Sequence, residues 1–172
     1  MGRRVYYFKP NIPIAVIEAK DNKHAIGDGI QQAIEYANDL DIPFAFSSNG
    51  DGFVLHDLTG DSNSPEVNFS IDSFPSPLEI WDRYKNWKGL SDTNELTFLQ
   101  DYYYDGSSKK PRYYQIIAIN RVMEAITKGQ DRLLLVMATG TGKTYTVFQI
   151  IWRLWKAGKK KRILFLADRN VL

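Results

Sequence analysis

Residues 12–57, IPIAVIEAKDNKHAIGDGIQQAIEYANDLDIPFAFSSNGDGFVLHD, change hydrophobic period more than once. Behind Pro10 and Pro13, positions 14–17 are all apolar and run into Glu18-Ala19-Lys20, the pattern of a buried strand with a polar end. From Asp28 to Leu40 the apolar residues Ile30, Ala33, Ile34, Ala37 and Leu40 recur at helical spacing and make one stripe. Gln32 and Tyr36, four apart, share a different face of that helix. Positions 44–46 and 53–55 then flank a segment whose Asn-Gly and Asp-Gly pairs mark a turn between two strands. Strand, helix, strand, strand predicts an α/β unit built on a mixed sheet.

Outward toward the C-terminus, residues 59–77 are rich in Ser, Asp, Asn and Pro and are expected to form a linker. Pro77 suits a first helical position, and Leu78, Ile80, Trp81, Tyr84 and Trp87 after it predict an amphipathic connecting helix. A second break at 105–108 precedes a helix over 115–128, striped by Ile116, Ile119, Val122, Met123 and Ile126 and closed by Gly129. Positions 133–137 read as a buried strand, 138–143 as a Gly-rich turn, 144–157 as a helix closed by Gly158, and 163–167 as a second strand. That is a βαβ unit, which calls for parallel strands and a right-handed crossover. The lysine-rich run 159–162 is expected to be a solvated loop. The expected domains are 1–77, including the linker 59–77, then a helical connector over 78–111, then 112–172.

The 172 residues are 44% hydrophobic and 24% charged, an ordinary globular composition that excludes disordered, collagen-like and coiled-coil chains. With no cysteine, a disulfide framework, a thiolate nucleophile, a zinc knuckle and an iron–sulfur cluster are excluded together. The longest strictly apolar run, 133–138, is six residues, where a membrane-spanning helix needs about 20. Lys9 and Pro10 interrupt the apolar stretch that a signal peptide beginning at Arg3 and Arg4 would require, and Tyr6 stands where a myristoylation signal has Ser or Thr. A cytoplasmic chain without a membrane partner is expected. The net charge of +2 hides an asymmetry: residues 1–108 hold 8 Lys+Arg against 17 Asp+Glu, whereas residues 109–172 hold 14 against 3. A basic half is the expected footprint of a polyanion partner, although an uneven solvated surface would give the same count.

Ala138-Thr139-Gly140-Thr141-Gly142-Lys143-Thr144, between an expected strand and an expected helix, has the composition of a phosphate-binding loop. Glycines let successive backbone N–H groups converge on phosphates, and the helix start adds partial positive charge. Lys143 would neutralise the β and γ phosphates of ATP, and the Thr144 hydroxyl would hold Mg²⁺. Met137 stands where the general pattern has Gly. With "RYYQ" at 112–115, "MATGTGKT" at 137–144 and "ILFLADRNVL" at 163–172, this half resembles the opening of superfamily-two helicases and translocases. The resemblance implies a RecA-like P-loop domain in which Gln115 reads the adenine edge.

In the acidic half, alternation along a strand puts Glu18 and Lys20 on one face, where a carboxylate can bind Mg²⁺ and an ammonium can orient an attacking water. Glu-x-Lys alone is more often a surface ion pair. Followed by Gln32-Ala33-Ile34-Glu35-Tyr36, it resembles the PD-(D/E)xK nuclease core with its QxxxY extension. Residues 12–57 followed by a helicase opening are together similar to the restriction subunit of type I restriction-modification enzymes, over nearly the whole chain. That resemblance implies a partial nuclease domain, a mixed sheet with helices, linked to the first βαβ unit of a RecA-like domain. It implies an ATP-dependent type I site-specific deoxyribonuclease with double-stranded DNA, methyltransferase and specificity subunits as partners and ATP and Mg²⁺ as cofactors. Glu18 would be the metal ligand, Lys20 the catalytic lysine, and Gln32 and Tyr36 supporting residues of the nuclease site.

Two departures accompany the resemblance. The family's metal-binding Asp precedes this strand, and its place falls near Arg3, with no acidic residue before Glu18. No acidic Mg²⁺-binding box and no second lobe with an arginine finger lies within the 172 residues, so ATP binding is expected and turnover is not. The chain is expected to be a fragment or a divergent short form of such a subunit, with a non-catalytic DNA-binding or assembly module as the alternative. A different P-loop enzyme such as a kinase would leave Glu18, Lys20, Gln32 and Tyr36 without a role. His24 and His56 lack neighbouring ligand spacing, and Trp81, Trp87, Trp152 and Trp155 are assigned to packing.

Overall fold

A computed structural model describes residues 2–61, 64–107 and 110–167. Its centre is a five-stranded sheet in the order β1 (Gly2–Lys9), β2 (Ile12–Ala19), β3 (Phe44–Ser48), β4 (Gly52–Asp57), β5 (Glu66–Ser70). The β2–β3 pair is parallel and the other three pairs are antiparallel. Parallel neighbours need a crossover, and α1 (Ile30–Leu40) supplies it. The mixed α/β architecture is as the sequence implies.

The two central strands are buried on both faces, which is why they read as continuous apolar runs. Side-chain size sorts the faces. Val16 and Ala45 lie under Ala33 and Ala37 of α1, where small residues let the helix approach closely. Phe44, Phe46 and Leu55 point the other way, into a larger core with Ile80, Trp81 and Tyr84 of α2 (Pro77–Lys88), Phe98 of α3 (Asp92–Phe98), Ile119 and Met123 of α4 (Tyr113–Thr127), and Ile150 and Leu154 of α5 (Lys143–Lys156). Pro77 takes the first helical position of α2, behind a reciprocal cap in which Ser76 Oγ accepts from Glu79 N and Glu79 Oε2 accepts from Ser76 N.

Four features differ from the sequence-based expectation. The tract 59–77 is not simply a linker: residues 66–70 form edge strand β5, followed by the 3₁₀ turn Ile71–Ser73. Strand β1 and helix α3 add to the expected elements. The runs 133–137 and 163–167, expected as parallel strands, form no strand pairing, and Leu134, Val136, Leu164 and Leu166 are more than four-fifths exposed. A parallel strand needs at least one neighbour to pair with and helices over both its faces, and no such neighbours flank these two runs among the described residues. Trp81 is buried as expected, whereas Trp155 is half exposed. No helix among the described residues is long and apolar enough to cross a membrane.

Candidate functional site

At the C-terminal ends of β2 and β3, Glu18 pairs across the sheet with Ser47, and Lys20 N donates to Ser48 O at 2.8 Å. Gly29, which opens α1, is pressed onto this corner. A Cβ there would stand 2.8 Å from Ser47 Oγ and 3.0 Å from Glu18 Cγ, so only glycine permits the approach. Gly29 N donates to Ser47 Oγ at 3.1 Å, and Ser47 Oγ donates to Ile26 O at 2.6 Å, fixing the helix start against the strand end.

Glu18 is buried, only 8% exposed. Its Oε1 lies 3.6 Å from Lys20 Nζ, which donates to Gln32 Oε1 at 2.6 Å. One helical turn past Gln32, the Tyr36 ring lies beneath the guanidinium of Arg3, and Arg3 faces Glu18 directly in the β1–β2 register. Glu18, Lys20 and Gln32 thus meet on one face, with Tyr36 one turn along the same helix. The donor set does not fit Mg²⁺: one carboxylate stands beside an ammonium, with a guanidinium across from it. Among the described residues no three His, Cys, Asp or Glu side chains are grouped to hold a metal ion.

The second site joins the start of α4 to the loop before α5. Gly140 and Gly142 have φ of +77° and +81°, the left-handed turns that a Cβ would oppose. Thr141 Oγ1 donates to Ala138 O at 2.6 Å, and Lys143 Nζ donates to Met137 O at 3.0 Å. Gln115 is buried and bridges the two elements: its Oε1 accepts from Arg112 N at 2.9 Å, and its Nε2 donates to Thr141 O at 2.9 Å. Tyr114 Oη donates to the same carbonyl at 3.3 Å. Lys143 and Thr144 are exposed, as is Thr139. A cleft of about 510 Å³ is lined by Arg112, Tyr114, Gln115, Gly140, Thr141 and Gly142, within the size range of small-ligand sites.

Sequence reasoning missed Arg3, Gly29, Ser47 and Tyr114 as parts of these sites. The aromatic and β-branched run 5–8 ahead of the Pro10-Asn11 turn was the available signal for β1, and hence for Arg3. Gly29 and Ser47 leave no comparable mark, because their contact spans 18 residues of chain. A buried polar network behind the second site also went unread. Arg153 of α5 is fully buried, donates to the carbonyls of Phe98 and Gln100 and to Asn120 Oδ1, and stacks on Tyr102. Asn120 in turn donates to Asn11 O at the β1–β2 turn, so one chain of hydrogen bonds runs from the loop helix to the sheet. Burial pushes the Arg153 guanidinium below its usual value and the Tyr102 phenol above its own.

Residues 108–172 match the family model described as "Type III restriction enzyme, res subunit". The last five of them, the end of the expected DNA-contacting motif, lie outside the described residues. A solved structure described as a fragment of an HsdR subunit of a type I restriction enzyme from Vibrio vulnificus superposes with a TM-score of 0.77 at 40% identity, covering 88% of this chain and 27% of that one. The Type I restriction enzyme EcoKI endonuclease subunit of Escherichia coli is 54% identical over 61 residues, 36% of this chain and 5% of that protein. Over 98% of its length this chain is similar, at 60% identity, to the Type I restriction enzyme EcoAI endonuclease subunit of Escherichia coli, of which it spans 21%.

Proposed function

We propose that this chain is part of a type I restriction endonuclease motor subunit, in which ATP-dependent translocation of double-stranded DNA is coupled to Mg²⁺-dependent cleavage. The share assigned to this chain is nucleotide binding at the loop 138–144. The observation that carries the reading is the anchoring of Gln115 on Thr141 beside the cleft. A primary amide has two donors and two lone pairs, and Gln115 uses one of each on Arg112 and Thr141. The donor and lone pair that remain match the N6 and N7 edge of adenine. Gly140 and Gly142 leave the loop backbone open to phosphates, Lys143 is free to move from Met137 O onto the β and γ oxygens, and Thr144 would hold Mg²⁺ there, which supplies charge neutralisation. The methyltransferase and specificity subunits of a type I complex are the protein partners this reading brings.

Titration of the chain with a fluorescent ATP analogue tests it. Saturable, Mg²⁺-enhanced binding that Lys143→Ala reduces by at least about thirty-fold is expected, the loss of roughly 2 kcal/mol that a charge-assisted contact carries. Equal affinity in wild type and variant would sink the assignment. A second reading, a non-catalytic DNA-binding module, is favoured at the other site by the unsuitability of the Glu18 donor set for a divalent ion.

A further inference from the structure

The side chains around Glu18 form a different kind of site from a metal centre. Residues directly opposite in an antiparallel pair project to the same face of a sheet, so Arg3 and Glu18 share the face that α1 covers. The Arg3 guanidinium is held at the exposed edge of that face by its contact with the Tyr36 ring. Two residues past Glu18, Lys20 is held by Gln32 and by Glu18 itself. Within this set two cations, Arg3 and Lys20, stand against one carboxylate. A divalent cation would enter this set against net repulsion. A phosphate would enter it with attraction, and a guanidinium fork matches two phosphate oxygens.

We propose that the Glu18 site binds a phosphodiester of duplex DNA without a divalent ion. Arg3 and Lys20 supply the charge, and Glu18 and Tyr36 hold those two side chains in place. This rests on the second reading above and is independent of the nucleotide site.

Anisotropy titrations of a fluorescein-labelled duplex test it in EDTA and in Mg²⁺ at matched ionic strength. They are run in a Lys143→Ala background, which removes the anion-binding lysine of the loop. Affinity no higher in Mg²⁺ than in EDTA is expected. Arg3→Ala and Lys20→Ala should each weaken binding by roughly five-fold at low salt and lower the slope of log K against log salt by about one. Arg3→Lys, which keeps the charge and loses the fork, should recover most of the affinity. Arg3→Asp puts a carboxylate opposite Glu18, and should weaken binding in EDTA and create a calorimetric Mg²⁺ heat that the parent lacks. Circular dichroism matching the parent keeps these readouts interpretable, and Arg3 is exposed on an edge strand. Tighter duplex binding in Mg²⁺ that disappears in Glu18→Ala would overturn the proposal. So would an affinity and salt slope that Arg3→Ala leaves unchanged, or an Arg3→Asp chain without Mg²⁺ heat. Loss of ATP binding by the wild-type chain would sink the nucleotide reading alone.

Discussion

Two apolar runs of similar composition meet opposite fates. Residues 14–17 sit inside β2, between β1 and β3, with Ile14, Ala15 and Val16 fully buried. Residues 133–136 are as apolar, yet among the described residues they pair with no strand, and Leu134 is 89% exposed. The loop and helix that follow them form nonetheless, with α5 beginning at Lys143 and its core face packed on the shared interior. A helix and a glycine turn satisfy their own backbone groups, whereas a strand borrows its stability from neighbours. One half of the chain therefore holds a five-stranded sheet, and the other holds a phosphate-type loop whose flanking apolar runs find no strand partner among the described residues.

The strongest link between the halves is Arg153, so its removal should have the largest effect. Arg153→Ala strands the carbonyls of Phe98 and Gln100 in the interior and frees Asn120 from one partner. A loss of about 3 kcal/mol or more is expected, from unsatisfied buried acceptors and lost packing. Urea denaturation followed by tryptophan fluorescence and by circular dichroism measures it. Coincident transitions shifted together mean one cooperative unit. Separated transitions would show that the halves fold independently.

Next in size is Gly142→Ala. The left-handed φ costs about 1 kcal/mol for a residue with a Cβ, and that Cβ would lie 2.5 Å from Gln115 Nε2. A destabilisation of about 1–2 kcal/mol with loss of ATP binding is expected. Stability lost without any change in ATP affinity would show that Gln115 and the loop are not one site.

What the sequence disclosed follows the same division between local and borrowed stability. The stripes of α1, α2 and α4 were legible because each is written within one segment, as were the turn between β3 and β4 and the loop 138–144. Glu18, Lys20, Gln32 and Tyr36 could be picked out by spacing and resemblance. Their geometry with Arg3 could not, because it depends on the β1–β2 register and on a strand whose Arg3 and Arg4 look like a leader. Strand β5 hid in a Ser- and Asn-rich tract, since an edge strand needs little hydrophobicity. The failure at 133–137 and 163–167 was the converse, a strong strand pattern without the partners that would make it a strand.

The smallest expected effect tests whether charge helps to join the halves. Asp41 ends α1 in the left-handed conformation, with φ of 57°. It accepts from Arg121 of α4 at 2.9 and 3.0 Å and from Lys88 of α2 at 3.3 Å. Burial alone would raise its carboxyl, but the Arg121 hydrogen bonds and the Lys88 and Arg121 charges outweigh it and hold the group below its usual value. Its stabilising contribution is therefore complete above the unfolded value, near pH 4, and is lost as the pH falls through the lower folded value. Asp41→Asn keeps the side-chain shape and tolerates the left-handed backbone, and it removes the charge together with one of the two acceptor oxygens. With Arg121 largely exposed, about 1 kcal/mol is expected near neutrality, and less in high salt. Denaturation curves from pH 7 downward should show the gap between wild type and variant closing below about pH 4 as Asp41 takes up its proton. A gap that stayed constant into acid would mean that α1 and α4 are held together by packing, with the charge of the ion pair contributing nothing.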